Sequence, residues 1–391
     1  MVGAGETYLP AYALSVGMSE TLSGLFATVP LFAGALIQLF TPLFIPYAKS
    51  IKRWVVVTTA LQALAFLPLI YFSFDEKINF LLLFLIAAIY WGAGFAAGPS
   101  WNFWMGHLVS DKESPHFFSR RLYISQAGVL IGLVGGGYAL HYKIAIGPFT
   151  SVFSLIFLVA FLSRASSSLI LSMKHYQHDW TPLAFGQPLR EAFQMFRNSR
   201  EYLTFFGFLF LFFFTINISA PFVVPYFLAQ LHLTYNEFML GIGAFIGTKL
   251  LTQTRAHRVV EGWGPKLTFF IGAIGMAPLP AFWGVSDHIL FVIFLQSLSG
   301  FFWGLFEVAM SVIFFNQLKH EDKIPLLTLY NFFNALAIIG GSLMGAQLLH
   351  SFGETREAYY YIFIFGGFMR TLVTVVYGQV SKNKPILIRD K

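Results

Sequence analysis

Cysteine is absent from the 391 residues. Disulfides, thiolate nucleophiles and Cys-held metals are therefore excluded. Charge is scarce too: Asp, Glu, Lys and Arg make up 11% of the chain, against roughly 25% in a soluble domain. Acids are the rarer sign, 18 against 25 basic residues, which leaves a formal charge of +7. No P-loop, G-x-S-x-G or H-E-x-x-H is found, which argues against ATP-driven pumping and hydrolase chemistry. No basic n-region precedes the first apolar stretch, so no cleavable signal peptide is expected. What abounds is apolar: 57% of residues are hydrophobic, and 47 are Phe. Such a chain is not a soluble enzyme, a disordered segment or a secreted disulfide-stapled module. It has the composition of a polytopic membrane protein, since twelve helices of about 20 residues would use roughly 240 residues.

Hydrophobic runs between polar breaks predict twelve spans: 1–17, 22–46, 54–73, 79–107, 119–141, 148–173, 202–231, 236–254, 266–284, 289–318, 325–350 and 358–380. The expected organisation is a six-helix bundle over 1–173, a polar central loop over 174–201, a second bundle over 202–380 and a tail over 381–391. Charge placement sets the orientation. One set of breaks carries 19 of the Lys and Arg, from Lys49, Lys52 and Arg53 to Arg389 and Lys391. The opposite set carries only Lys77, Lys143 and Arg356. That asymmetry is the positive-inside signal and puts both termini in the cytoplasm. The +7 charge is thereby accounted for without nucleic acid. In the central loop, Leu189, Phe193 and Phe196 share a helical face, which predicts a short amphipathic helix. His175 and His178 there lack acidic or Cys companions and read as solvated.

The halves resemble each other. Pro10 in YLPAYALSVGMS aligns with Pro225 in VVPYFLAQLHLT. Trp91-Gly92 and Trp303-Gly304 fall in spans four and ten, and Arg164 and Arg370 near the cytoplasmic ends of spans six and twelve. In that order, the matches argue for two six-helix repeats. Pro10 has only nine residues before it, whereas Pro225 has about 23 span residues. The expectation is that roughly 14 residues of the first helix lie upstream of Met1.

Twelve spans in a 6+6 repeat, with cytoplasmic termini and a long central loop, resemble the major facilitator superfamily. That family carries the loop motif G-x-x-x-D-R-x-G-R/K after its second and eighth helices. In RAHRVVEGWGPK, Glu261, Gly264 and Lys266 occupy the acidic, glycine and basic places, with His257 replacing the leading Gly. The first copy, PYAKSIKRW, keeps Lys52 and Arg53 but lacks the acid and the glycine. Gly128, Gly132, Gly136 and Gly137 in span five look like the glycine motif of proton-coupled exporters, with Leu133 in place of its Pro. Close helix packing is the simpler reading of the same glycines. The resemblance implies an all-helical fold and a small-molecule substrate, with helices 1, 4, 7 and 10 lining a central cavity.

Ionisable groups inside a bilayer cost about 2.5–3.5 kcal/mol at mid-helix, so each needs a reason. Glu6 lies about 16 Å from the end of the first span, near the midplane. It is one proton-coupling candidate, and Glu307 in FFWGLFEVAM is the other. Lys249, in span eight, has three fates: pairing with Glu307, binding an anionic substrate, or snorkelling, of which snorkelling is expected. Arg164 and Arg370, at equivalent places, read as structural anchors. Further cavity candidates are Trp91, Trp303 and Asn217, with Gln38, Gln126, Asn331 and Asn334 on flanking helices. Trp101 and Trp104 are expected in the interfacial aromatic belt.

The sequence thus predicts a secondary active transporter of a small molecule, working by proton-coupled export of amphipathic or hydrophobic compounds. Uptake of a small polar or anionic metabolite and a non-transporting sensor or scaffold are the alternatives. No cofactor or metal is expected; the partners are substrate, protons and lipid, with a monomer in a bacterial inner membrane.

Overall fold

The computed structural model describes residues 1–74, 79–108, 114–144, 151–174, 194, 199–314 and 323–382, and these contain helices and turns but no strand. The central-loop helix, His175 and His178 lie outside the described residues, as does the side chain of Gln38. The first span comprises turns, one 3-10 turn Glu6–Tyr8 and the short helix α1 (Leu9–Ser15). There follow α2 (Glu20–Phe26), α3 (Val29–Phe44), α4 (Ile51–Leu64), α5 (Phe66–Phe72), α6 (Phe80–Leu108), α7 (Ser114–His141) and α8 (Val152–Ser172). The second half holds α9 (Arg200–Ser219), α10 (Tyr235–Trp263), α11 (Pro265–Met276), α12 (Ile289–Val312), α13 (Lys323–Ser351) and α14 (Arg356–Lys382). All twelve predicted spans thus contain helix among their described residues, and ten segments among them are long and apolar enough to cross a membrane. The exceptions have plain causes. The first segment is short, and α10 carries Glu237, Lys249, Arg255, Arg258 and Glu261.

Several spans are interrupted, and proline accounts for where. Pro lacks the N–H that would reach the carbonyl four residues back. Pro30 leaves Phe26 without a helical donor, and α2 ends there. Pro68 does the same to Leu64, and α4 ends there. Pro221 and Pro225 follow α9, where the chain passes through a 3-10 turn and then a five-residue π turn, Tyr226–Gln230. After α11, Pro278 and Pro280 convert the helix into a 3-10 stretch, Leu279–Gly284. Two boundaries differ from the sequence reading by more than fraying. Helix α7 begins at Ser114, five residues early, and α10 runs nine residues beyond the expected end to Trp263. The acidic place of the loop motif, Glu261, therefore stands on a helix; only Gly264, at φ +80°, turns the chain. Lys266 is already inside α11.

The contacts divide the chain into two compact units, Met1–Phe185 with Thr234–Asn236, and Gly186–Leu233 with Glu237–Lys391. In the first unit, α6 packs on α3 and α4, and α4 on α8. In the second, α9 packs on α13 and α14, and α11 on α12. Glycine spacing makes the tightest of these contacts possible, because small residues let transmembrane backbones approach. A Cβ at Gly132 would stand 2.8 Å from the Ala4 nitrogen, and one at Gly136 would press on the Tyr8 ring. The Tyr8 hydroxyl then donates to the Leu133 carbonyl at 2.6 Å. In the second unit, Gly341 and Gly345 of α13 meet the backbone of α9 at Phe214 and Ile218. Both glycine pairs sit 209 residues apart, so the two repeats pack helix five on helix one, and eleven on seven, with the same small-residue device.

Candidate functional site

The second unit carries an intramembrane ion pair. Gly300 and Gly304 of α12, one helical turn apart, face α10: a Cβ at Gly300 would lie 3.1 Å from the Lys249 nitrogen, and one at Gly304 3.0 Å from its carbonyl oxygen. The backbones approach closely, and the next residue on the Gly300–Gly304 face of α12 is Glu307. Lys249 Nζ meets Glu307 Oε1 at 2.7 Å, and the Gln253 amide donates to Glu307 Oε2 at 2.7 Å. Lys249 is therefore paired across two helices, the first of the three fates open to it, rather than the expected snorkelling. The pair is not sealed off, with side chains 18% and 34% exposed. An aromatic wall adjoins it. Trp303, one turn before Glu307, stacks on Phe306 with centroids 5.7 Å apart and lies 6.2 Å from Phe213. Phe213 in turn contacts Tyr330 of α13.

The first unit has a second polar centre. Gly5 brings the chain against Phe66 and Ala160, where a Cβ would stand 2.8 Å and 2.9 Å from side-chain carbon. That close approach sets Glu6 under the Tyr90 hydroxyl, which donates to Glu6 Oε2 at 2.9 Å. Tyr90 is buried, held edge-on by Phe66, and has the buried Gln62 amide as a further hydrogen-bonding neighbour. Arg164, one turn beyond Ala160 on α8, lies in the neighbourhood of Tyr90.

Arg370 behaves differently from Arg164. It is buried and reaches only neutral oxygens: the Met276 carbonyl, the Ile216 carbonyl and Ser219 Oγ, at 3.3–3.4 Å. Met276 is the residue that Pro280 deprives of its helical donor, and an orphaned buried acceptor costs about 1–3 kcal/mol. Arg370 thus joins the broken end of α11 to the last turn of α9. Arg164 instead lines a cleft, with its Nε buried and unpartnered.

Other candidates fall where transport chemistry is less direct. Asn217 donates to the Phe213 carbonyl of its own helix at 2.8 Å and lies against Gly341. Asn334 has a buried, unpartnered Oδ1; Asn331 is exposed and Gln126 half-buried. Trp91 backs α3, where a Cβ at Gly34 would meet its backbone at 2.9 Å. Within the glycine motif, Gly132 and Gly136 touch the N-terminal segment, Gly137 is buried, and Gly128 has open space beside it. Trp104 departs from the aromatic-belt expectation. It is 2% exposed, in a core with Ile51, Val55 and Met105, because the first turn of α4 covers that end of α6. Trp101 instead lies under the Arg121 guanidinium, 4.0 Å from its ring centroid. Gln62, Tyr90 and Gln253 were not singled out by the sequence; their signal, polarity within an apolar run one or two turns from another polar residue, is shared with many helix-packing residues.

The helical fold, with polar centres held inside both units, is similar to that of solved membrane transporters. The family model described as Major Facilitator Superfamily matches residues 205–386, just under half of the chain. The fold extends the likeness over the whole length. The structure of nucleoside transporter NupG matches with a TM-score of 0.68 at 13% identity, covering 98% of this chain and 96% of that one. A mutant of NupG gives 0.69 at 14% identity, covering 97% and 95%. A D-xylose-proton symporter gives 0.64 at 13% identity, covering 96% and 94%. No curated protein matches the chain. The resemblance read from the sequence is thus met by the family model over residues 205–386 and by the fold over the whole length.

Proposed function

We propose that the protein is a proton-coupled secondary transporter of a small polar or anionic solute, and that the Lys249–Glu307–Gln253 cluster is its coupling switch. The observation that carries this reading is the 2.7 Å ion pair inside the second unit, left partly exposed beside an aromatic wall. Unprotonated, Glu307 occupies the Lys249 ammonium. Protonated, it is neutral, and the ammonium becomes available to an anionic or polar group of the solute. A proton taken up on one side and released on the other then alternates the affinity, and a ligand shifts a conformational equilibrium only by such a difference. Trp303 and Phe213 would offer a flat face to a ring-bearing solute. The structural relatives support this choice by their names, a nucleoside transporter and a D-xylose-proton symporter. In the first unit, Glu6 and Tyr90 form a second candidate proton site.

The same aromatic wall favours a second reading, proton-coupled export of amphipathic compounds, in which stacking rather than the ammonium holds the cargo. Proteoliposomes with an imposed proton gradient separate the two. Accumulation of nucleosides, sugars or organic acids by the wild type, with its pH dependence abolished in Glu307→Gln, supports the polar-solute reading. Movement of amphipathic dyes alone replaces it with the second, and flux of neither class points to a sensor or scaffold.

A further inference from the structure

A cleft of about 1130 Å³ opens within the first unit, lined by residues of α4, α6, α7 and α8. Its lining has one sign of charge. Arg121 and Arg164 face it, no carboxylate does among the described residues, and Ser125 and Ser166 add hydroxyls. Neither arginine pairs with an acid among the described residues. Arg121 is steadied by the face of Trp101 at 4.0 Å, an arrangement that fixes a guanidinium without neutralising it. Arg164 keeps a buried Nε with no acceptor, although it stands within an apolar span where such a group is costly. The remaining walls are apolar, from Ala97, Ile124, Ile170 and Leu171. At Gly98 a Cβ would meet nothing within 4 Å, so the α6 wall is set back from the space. Arg370, the repeat-equivalent residue, is instead buried against carbonyls.

We propose that this cleft binds an oxyanion, phosphate or carboxylate, carried on an apolar body, with Arg121 and Arg164 holding the head and the apolar walls the body. Guanidinium groups suit this task because their forked donors match the oxygens of phosphate and carboxylate. The site is separate from the Lys249–Glu307 cluster, which lies in the other unit, and it stands or falls independently of the transport reading. Two sources share the chemistry, an acidic lipid headgroup and a soluble amphipathic anion.

The test is the thermal midpoint of the purified full-length protein in neutral detergent, since a ligand that prefers the folded state raises it. Three probes are compared: hexyl phosphate, dihexanoyl phosphatidylglycerol and dihexanoyl phosphatidylcholine. A rise of a few degrees with either anionic probe is expected, and none with the zwitterionic one. A response to hexyl phosphate identifies a soluble anion; a response to phosphatidylglycerol alone identifies a lipid headgroup. The rise should vanish in Arg121→Gln and in Gly98→Phe, which fills the space while leaving both arginines, and should persist in Glu307→Gln. An equal response to phosphatidylcholine, no response to any probe, survival in both cleft variants, or loss in Glu307→Gln would overturn the proposal.

Discussion

At the scale of single residues, Lys249 and Glu307 show why a charge pair inside a membrane is a poor source of stability and a good source of selectivity. Desolvating both groups cancels most of their attraction, yet removing one leaves the other uncompensated. Replacing Glu307 with Leu should therefore cost about 1–3 kcal/mol, between the roughly 0–1 of an exposed pair and the 3–5 of a buried one. Adding Lys249→Met to that variant should recover most of the loss while leaving transport abolished. Thermal melts of the two single variants and the double variant, run as a cycle, check this, and additive losses would rule out the coupling.

At the scale of helices, the glycines decide which side chains meet. Gly304→Leu on α12 would thrust a branched side chain into Thr252 and the Lys249 carbonyl, 2.9–3.0 Å from its Cβ. Overpacking of that kind costs about 1–3 kcal/mol, and here it would also part the ion pair. The expected result is a lower melting midpoint together with lost pH dependence of transport, whereas Gly128→Leu, which faces open space, should leave both nearly unchanged. The same element explains what could be read from the chain alone. Spans were legible because each requires some 20 apolar residues, and the breaks at Pro30, Pro68 and Pro280 follow from a missing donor. The pairing of Lys249 could be named from the sequence but not chosen over snorkelling, since 58 residues separate it from Glu307 and the Gly300–Gly304 contact is what brings them together. Trp104 misled for a related reason: an indole near a helix end looks interfacial until a neighbouring helix covers it. The cleft was hidden as well, because its arginines come from α7 and α8 and its floor from α6.

At the scale of the molecule, the absence of Cys provides a clean background for mapping topology. The orientation expected from the basic loops puts Ser286 and Gly353 outside and Gly262 inside. Single-Cys variants at these positions, treated in intact cells with a membrane-impermeant maleimide, should label at Ser286 and Gly353 and only after permeabilisation at Gly262. The reverse pattern would invert the orientation and, with it, the side from which the Arg121–Arg164 cleft is reached. The recurrence of small-residue contacts 209 residues apart adds that each repeat carries its own assembly code.

The ion pair also has a consequence for how the chain is made. Helix α10 is not among the ten segments apolar enough to cross the membrane on their own account, and the carboxylate that compensates its ammonium lies on α12. Synthesis proceeds at about 5–20 residues per second, so some 3–12 s separate the emergence of Lys249 from that of Glu307. During that interval the Lys249 ammonium lacks its carboxylate, and inserting α10 carries the cost of an uncompensated charge, about 2.5–3.5 kcal/mol at mid-helix. Biogenesis of the second half thus carries a transient cost that is relieved by a residue yet to be translated.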